Sequence, residues 1–379
     1  MFQRTIYFLS LVLCCASANA QWDSVVGTVA TIGETDDHWF SVRGRDTAYL
    51  IDGDAGELKG TLILSKFSPA IRPHMSQNTI YSYGSYYSRN YYGDREDVVL
   101  IFDASTTKPI GEIPLPPKSA GIGHSGMIAL LKEEFLGVWN INPATSFSVT
   151  NVKTRQFVTE IATPGCAMIY PTQDGYIMPC TDGTVQYIEL TAEGFEAERT
   201  RSEVFFNAMV DPILDYSVPT ADGWMFMSMD GLIFEVTVSN GRVMVTEPWS
   251  VNPITNGELD VNGVARLNDD DWRIGGRQAF AYNAETGYLM TVMHKGGGQE
   301  TFEDAGTEIW AFNTKTQRRG YRLEADGSDT FSSVQLTPDA EPLMVVSGDG
   351  GIRIYNAASG KLLRELDKIS GSLIQNLYE

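Results

Sequence analysis

Tyr49-Leu50-Ile51-Asp52-Gly53-Asp54-Ala55-Gly56 is a short apolar run that enters a turn, and the same pattern returns along the whole chain. It reappears as Leu100-Ile101-Phe102-Asp103-Ala104-Ser105-Thr106, as Ser148-Val149-Thr150-Asn151-Val152-Lys153-Thr154 and, more weakly, as Val185-Gln186-Tyr187-Ile188-Glu189-Leu190-Thr191. Three further copies are Phe234-Glu235-Val236-Thr237-Val238-Ser239-Asn240-Gly241, Ile309-Trp310-Ala311-Phe312-Asn313-Thr314-Lys315-Thr316 and Ile352-Arg353-Ile354-Tyr355-Asn356-Ala357-Ala358-Ser359-Gly360. The Asp or Asn side chain accepts hydrogen bonds from the turn's own backbone and Gly supplies positive φ, so each copy predicts a strand, a tight turn and a return strand. Three of the steps between Asp or Asn positions are 51, 48 and 43 residues, and the longest step, before Asn313, requires an insertion. A second turn type alternates with the first: Gln173-Asp174-Gly175, Ala221-Asp222-Gly223, Asn283-Ala284-Glu285-Thr286-Gly287 and Pro338-Asp339-Ala340. Apolar strands such as Trp224-Met225-Phe226-Met227-Ser228 or Leu343-Met344-Val345-Val346-Ser347 follow, and then another turn, Met229-Asp230-Gly231 or Gly348-Asp349-Gly350-Gly351. Strand and turn alternating at a period in the forties mark propeller blades. Seven copies predict an all-β, seven-bladed β-propeller. A β-sandwich needs no such period, and a parallel β-helix has a much shorter one.

The 379 residues include 28 Lys+Arg against 48 Asp+Glu, and 43% are hydrophobic. The apolar fraction is that of a globular core and excludes wholesale disorder. A formal charge of -20 excludes nucleic acid and an anionic membrane surface as natural partners, since both demand a basic face. At the amino terminus Arg4 precedes the apolar run Ile6 to Cys15, and Ala18-Asn19-Ala20 fits the small-x-small cleavage rule. Residues 1–20 therefore read as a signal peptide, too short in its apolar part for the roughly 20 residues of a membrane span. Residues 21–379 read as one propeller domain, exported to the periplasm. Lipid attachment at Cys14 or Cys15 lacks a small-residue lipobox. Cleavage leaves two cysteines, Cys166 and Cys180, flanking a hairpin that turns at Gln173-Asp174-Gly175. In an exported chain these read as one disulfide, contributing about 2–3 kcal/mol by loop closure; two unpaired buried thiols are the alternative.

Candidate catalytic groups are few. His38, His74, His124 and His294 have no metal-ligand spacing, so a metal site would have to be assembled across blades, and none is expected. Gly121-Ile122-Gly123-His124-Ser125-Gly126 matches a dinucleotide fingerprint in form, but prolines precede it and no βαβ unit surrounds it; it reads as a turn. Asn268-Asp269-Asp270-Asp271 lacks the alternating spacing of a calcium loop and reads as a solvated acidic turn. Gly296-Gly297-Gly298 reads as a flexible loop without the Lys-Ser/Thr of a phosphate cradle. No nucleophile elbow is visible. The residues describe a scaffold whose chemistry another molecule brings.

Several segments resemble the heavy subunit of the quinoprotein amine dehydrogenases, the methylamine and aromatic amine enzymes. They are Asp36-Asp37-His38-Trp39-Phe40 with Tyr49 to Gly56, Tyr87-Ser88-Arg89 with Gly93 to Asp103, Cys166 to Thr172 with Met178 to Gly183, and Trp272 to Tyr282 with Met293-His294. The cysteine pair and the run Trp272-Arg273-Ile274-Gly275-Gly276-Arg277-Gln278 are the most specific. The resemblance implies a large, cofactor-free subunit of an oxidoreductase acting on CH–NH2 donors, in a heterotetramer of two heavy and two light chains. It places tryptophan tryptophylquinone on the small, disulfide-rich light subunit, which this chain has too few cysteines to be. The assembled enzyme would oxidise a primary amine to aldehyde and ammonia and pass electrons to a blue copper protein, amicyanin- or azurin-like. No catalytic residue is expected in this chain. Phe40 matches a phenylalanine that lines the substrate channel in the family, with an ordinary core aromatic as the alternative. Trp272, Gly275 and Gly276 are candidates for the subunit contact.

The sequence also departs from the family. Ile274 stands where a proline is usual, Arg277 where an aromatic is usual, and Lys295 to Phe302 is unlike the methylamine form. Glu308-Ile309-Trp310 with Asn313 to Thr316 is closer to the aromatic amine form, which leaves the preferred amine and the acceptor open. Two other function classes compete: a stand-alone propeller that binds or scaffolds without a catalytic partner, and a hydrolase or lactonase propeller with a metal in its central channel.

Overall fold

All seven copies of the repeat fall in the third strand of an antiparallel sheet and its turn into the fourth, and there are seven such sheets. The computed structural model describes residues 30–67, 70–117, 123–251, 272–327 and 329–378. The expected signal peptide, Asn268 to Asp271 and Gly121-Ile122 lie outside them. Blade 1 is built from Trp39–Arg43, Thr47–Asp52 and Glu57–Ile63, with Leu373–Asn376 as its innermost strand. Blades 2 to 7 span residues 71–115, 128–162, 170–201, 213–250, 272–324 and 331–366. The ring is a seven-bladed β-propeller, closed by the pairing of Phe40 with Asn376 and Val42 with Ile374.

The turn chemistry is as read. The Asp52 carboxylate accepts from the amides of Asp54 and Ala55 at 3.0 and 2.9 Å, Asn151 from Lys153 and Thr154 at 3.0 and 2.9 Å, and Asn356 from Ser359 at 3.0 Å. Gly56, Gly241 and Gly360 take the positive φ that ends such a turn. Within the long step before Asn313, Trp249–Ser250 adds to blade 5 and Trp272–Ile274 adds to blade 6, each pairing with a strand of its sheet. Among the described residues the only helical segments are three-residue 3-10 turns, and no helix is long and apolar enough to cross a membrane.

Second and third strands are buried between neighbouring blades, Phe135–Asn140 along its whole length. Outermost strands such as Glu196–Arg201 and Lys361–Leu366 are charged and mostly exposed, which discourages edge-to-edge pairing with another chain. Apolar clusters cross the seams between blades. Phe40, Val42 and Ile51 of blade 1 pack with Leu343, Val345, Ile352 and Ile354 of blade 7. Two glutamines complete the closure by acting as substitute peptide groups. Gln375 exchanges hydrogen bonds with both backbone groups of Ile71 in blade 2, at 2.9 and 3.3 Å. Gln278 of blade 6 does the same with Ile374, at 3.1 and 2.8 Å.

Candidate functional site

The inner strands of all seven blades enclose an axial cavity of about 330 Å³. No local motif could announce it, because each strand contributes only a few residues. Its wall in blades 4 to 6 is aromatic and proline-rich, with Tyr170, Tyr216, Trp224 and Tyr282. Arg72 lies on the blade 2 side, and Gln375 and Asn376 come from the closing strand.

His38 sits on the seam where the ring closes. Its Nδ1 is 3.0 Å from Asp54 of blade 1 and its Nε2 is 3.2 Å from Asp339 of blade 7. Burial disfavours the imidazolium, but the two carboxylates outweigh it and hold the His38 pKa above its ordinary value. Burial likewise opposes ionisation of Asp339, yet bonds from Thr337, the Glu341 amide and His38 bring its pKa below the usual carboxylate value. Both ring nitrogens of His38 are engaged by carboxylates, an arrangement that holds a proton. Among the described residues no three His, Cys, Asp or Glu side chains form a group able to hold a metal. His74 and His124 also reach across the fold, to Glu133 at 3.8 Å and to Asp215 at 3.7 Å, whereas His294 stays within blade 6, 3.1 Å from Thr301. Burial lowers the pKa of His74 and of His124.

Phe40 lies just below His38 and is 0% exposed. A Cβ on Gly53 would come within 3.3 Å of its ring and 2.4 Å of the His38 carbonyl oxygen, so Gly53 lets the turn lie directly on it. In this chain by itself Phe40 occupies the core and lines no open surface.

Trp272, Gly275 and Gly276 are also covered by their own chain. Trp272 packs 5.5 Å from Trp310, with the Arg322 guanidinium 5.1 Å from its ring centroid; Glu308 binds Arg322 and accepts from the Trp310 indole at 2.7 Å. A Cβ on Gly275 would stand 2.4 Å from the Asp304 carbonyl oxygen, and Gly276 has a φ of +99° beside Ser332. The residue this loop exposes is Arg277. The loop Gly296-Gly297-Gly298, expected to be flexible, is pinned: Arg273 donates to the Gly297 carbonyl at 3.0 Å and pairs with Asp230 at 3.1 Å. No signal in a glycine run reports such a tether.

Cys166 and Cys180 are joined in a disulfide across the first hairpin of blade 4, which excludes the free-thiol alternative. Arg201 lies 3.6 Å from the Cys166 sulfur and is bound to Asp182 on the adjoining turn.

The sequence profile of the methylamine dehydrogenase heavy chain (MADH) matches residues 34–375, from the turn before His38 to the closing strand. The chain belongs to that family. Similar proteins are the methylamine dehydrogenase heavy chain of Paracoccus versutus, 25% identical over 332 residues, and that of Methylorubrum extorquens, 24% identical over 336. The two alignments each cover 85% of this chain, with 73% and 76% of the respective relative. Among solved structures, the Cps50 (Swd1) β-propeller domain of Myceliophteria thermophila aligns with a TM-score of 0.55 at 11% identity, covering 84% of this chain and 92% of that one. Dihydro-heme d1 dehydrogenase NirN aligns with a TM-score of 0.55 at 15% identity, covering 91% and 76%. At such identities these two speak for the propeller alone. The MADH match spans His38, Phe40, the cysteine pair and the Trp272 to Gln278 loop.

Proposed function

We propose that this chain is the large, cofactor-free subunit of an exported, periplasmic amine dehydrogenase that converts primary amines to aldehyde and ammonia. The observation that carries this reading is the MADH match over residues 34–375, continuous through all seven blades. In it, tryptophan tryptophylquinone resides on a separate light subunit, two heavy and two light chains assemble, and a blue copper protein takes the electrons. The quinone, when the light subunit is bound, supplies the two-electron oxidation. This chain's part is to hold the light subunit, wall the amine channel and shape the acceptor's docking surface. With no exposed surface, Phe40 backs the channel wall from beneath, its ring closed under Gly53 and His38. Arg277, at the tip of the loop formed by Trp272, Gly275 and Gly276, offers that loop's contact to a partner.

Expression together with a small, cysteine-rich amine dehydrogenase light chain, followed by co-purification and an absorbance scan, tests the reading. The expected result is a stable complex with a quinone band that both methylamine and phenylethylamine bleach, at different rates. Amine oxidation by this chain alone would overturn the assignment, and failure of any small cysteine-rich chain to co-purify would leave a stand-alone propeller. Phe40→Leu is expected to change the ratio of kcat/KM between the two amines; an unchanged ratio restricts Phe40 to the core.

A further inference from the structure

The axial cavity has a definite chemical character once the polar atoms already in use are set aside. The Tyr170 hydroxyl donates to the Asp215 carbonyl at 2.6 Å and the Trp224 indole donates to the Pro171 carbonyl at 2.7 Å. Those two residues therefore offer ring faces rather than donors. The amides of Asn283 and Gln375 are occupied at both ends, Asn283 by Thr337, Asp339 and Thr286 and Gln375 by Ile71. Two oxygens of the lining remain available as acceptors. Asn376 donates its amide nitrogen to the Leu336 carbonyl at 2.8 Å, which fixes its orientation and leaves Oδ1 buried without a partner among the described residues. The Thr220 hydroxyl is buried and unpartnered in the same sense. Both residues line the cavity, and Glu285 is exposed on its lip in the first turn of blade 6.

A buried oxygen left without a donor is costly, and aromatic faces carry the negative side of the ring quadrupole. Here an acceptor, a hydroxyl, a carboxylate and a set of ring faces surround one space, inside a chain of charge -20. Arg72, contributed by blade 2, is the one cation in the lining. A volume near 330 Å³ falls in the small-molecule range.

We propose that the axial cavity is a binding site for a small organic cation bearing N–H donors, an ammonium or amidinium group on an apolar or aromatic body. The body lies against Trp224, Tyr170, Tyr216 and Tyr282, with attraction between the cation and the rings, while Thr220, Asn376 and Glu285 accept its hydrogens. The site is independent of the subunit reading, because every group in it belongs to this chain.

Benzamidinium is a suitable probe. The carbon that bears its nitrogens carries no hydrogen, so an amine-oxidising partner cannot consume it. Titration of the full chain by calorimetry and tryptophan emission is expected to give one saturable site per chain. Benzoate, of similar size and opposite charge, and neutral benzyl alcohol should bind far more weakly. Thr220→Val combined with Glu285→Gln should weaken benzamidinium binding about tenfold or more, the loss expected for hydrogen bonds to a charged group. Trp224→Phe should keep calorimetric binding but remove the emission change, which places the probe at that wall; thermal unfolding of each variant checks that it remains folded. Benzoate binding as tightly as benzamidinium would overturn the proposal and hand the cavity to Arg72. Absence of saturable binding, or wild-type affinity in the double variant, would overturn it equally.

Discussion

At the scale of single residues, His38 shows how much a position means only once folded. Its carboxylate partners are Asp54, sixteen positions on, and Asp339, 301 positions away. Read in the sequence it was one of four scattered histidines; folded, it joins the first blade to the last. Because its folded pKa is raised, the stabilisation is fully present below the unfolded value of about 6.5 and is lost as pH rises through the folded value. Asp339 has a lowered pKa, so its share is present above the ordinary carboxyl value and is lost as pH falls through the folded one. His74 and His124 run opposite to His38, since a buried neutral imidazole disfavours folding as pH falls below about 6.5. Denaturant midpoints of the wild type and His38→Gln should therefore differ most near pH 6 and converge above the folded His38 pKa. A gap that widens toward pH 9 would remove His38 from the closure. Phe40→Ala should cost about 3–5 kcal/mol of stability as a cavity in a packed aromatic site, read from the same midpoints.

Among elements, the turns were the most legible part, because an Asx turn is written in four or five adjacent residues. Asp52, Asn151 and Asn356 bind their own turn amides as their local sequence foretells. The Asp-Gly turns conceal a different cause. Gly175 and Gly223 do not take positive φ; a Cβ on them would lie 2.0 Å from the Ile188 carbonyl oxygen and 2.1 Å from that of Val236, on the neighbouring strand. Glycine is needed there for strand proximity, a requirement set by a residue 13 positions away. Gly223→Ala should consequently destabilise blade 5 more than Gly241→Ala, whose added Cβ meets nothing nearer than 4.0 Å despite its positive φ. Comparing the two melting temperatures checks this. The bridge between Cys166 and Cys180 closes a separation of 14 residues, so a double Cys→Ala variant should lose roughly 3 kcal/mol in the chain-entropy account. An undiminished midpoint would mean that Arg201 and the hairpin suffice.

For the whole molecule, seven blades and the family could both be read in advance, since each depends on local repeats or contiguous motifs. The axial cavity could not, because its lining is gathered from residues between Arg72 and Asn376, a few per blade. Nor could the covering of Phe40, which depends on Leu343 and Val345 of the opposite end of the chain. The closing strand has a further consequence. Ser41 bonds to the Gln375 carbonyl across 334 residues, so the pairing that completes blade 1 is among the most distant contacts the chain makes. Ring closure carries the loop entropy of nearly the entire polypeptide, which predicts slow acquisition of the native state. Until then the Trp39–Arg43 strand presents a bare hydrogen-bonding edge. At high concentration that edge can accept the tail of a second copy, and strand-exchanged dimers formed on refolding would be the visible trace of an assembly order imposed by topology.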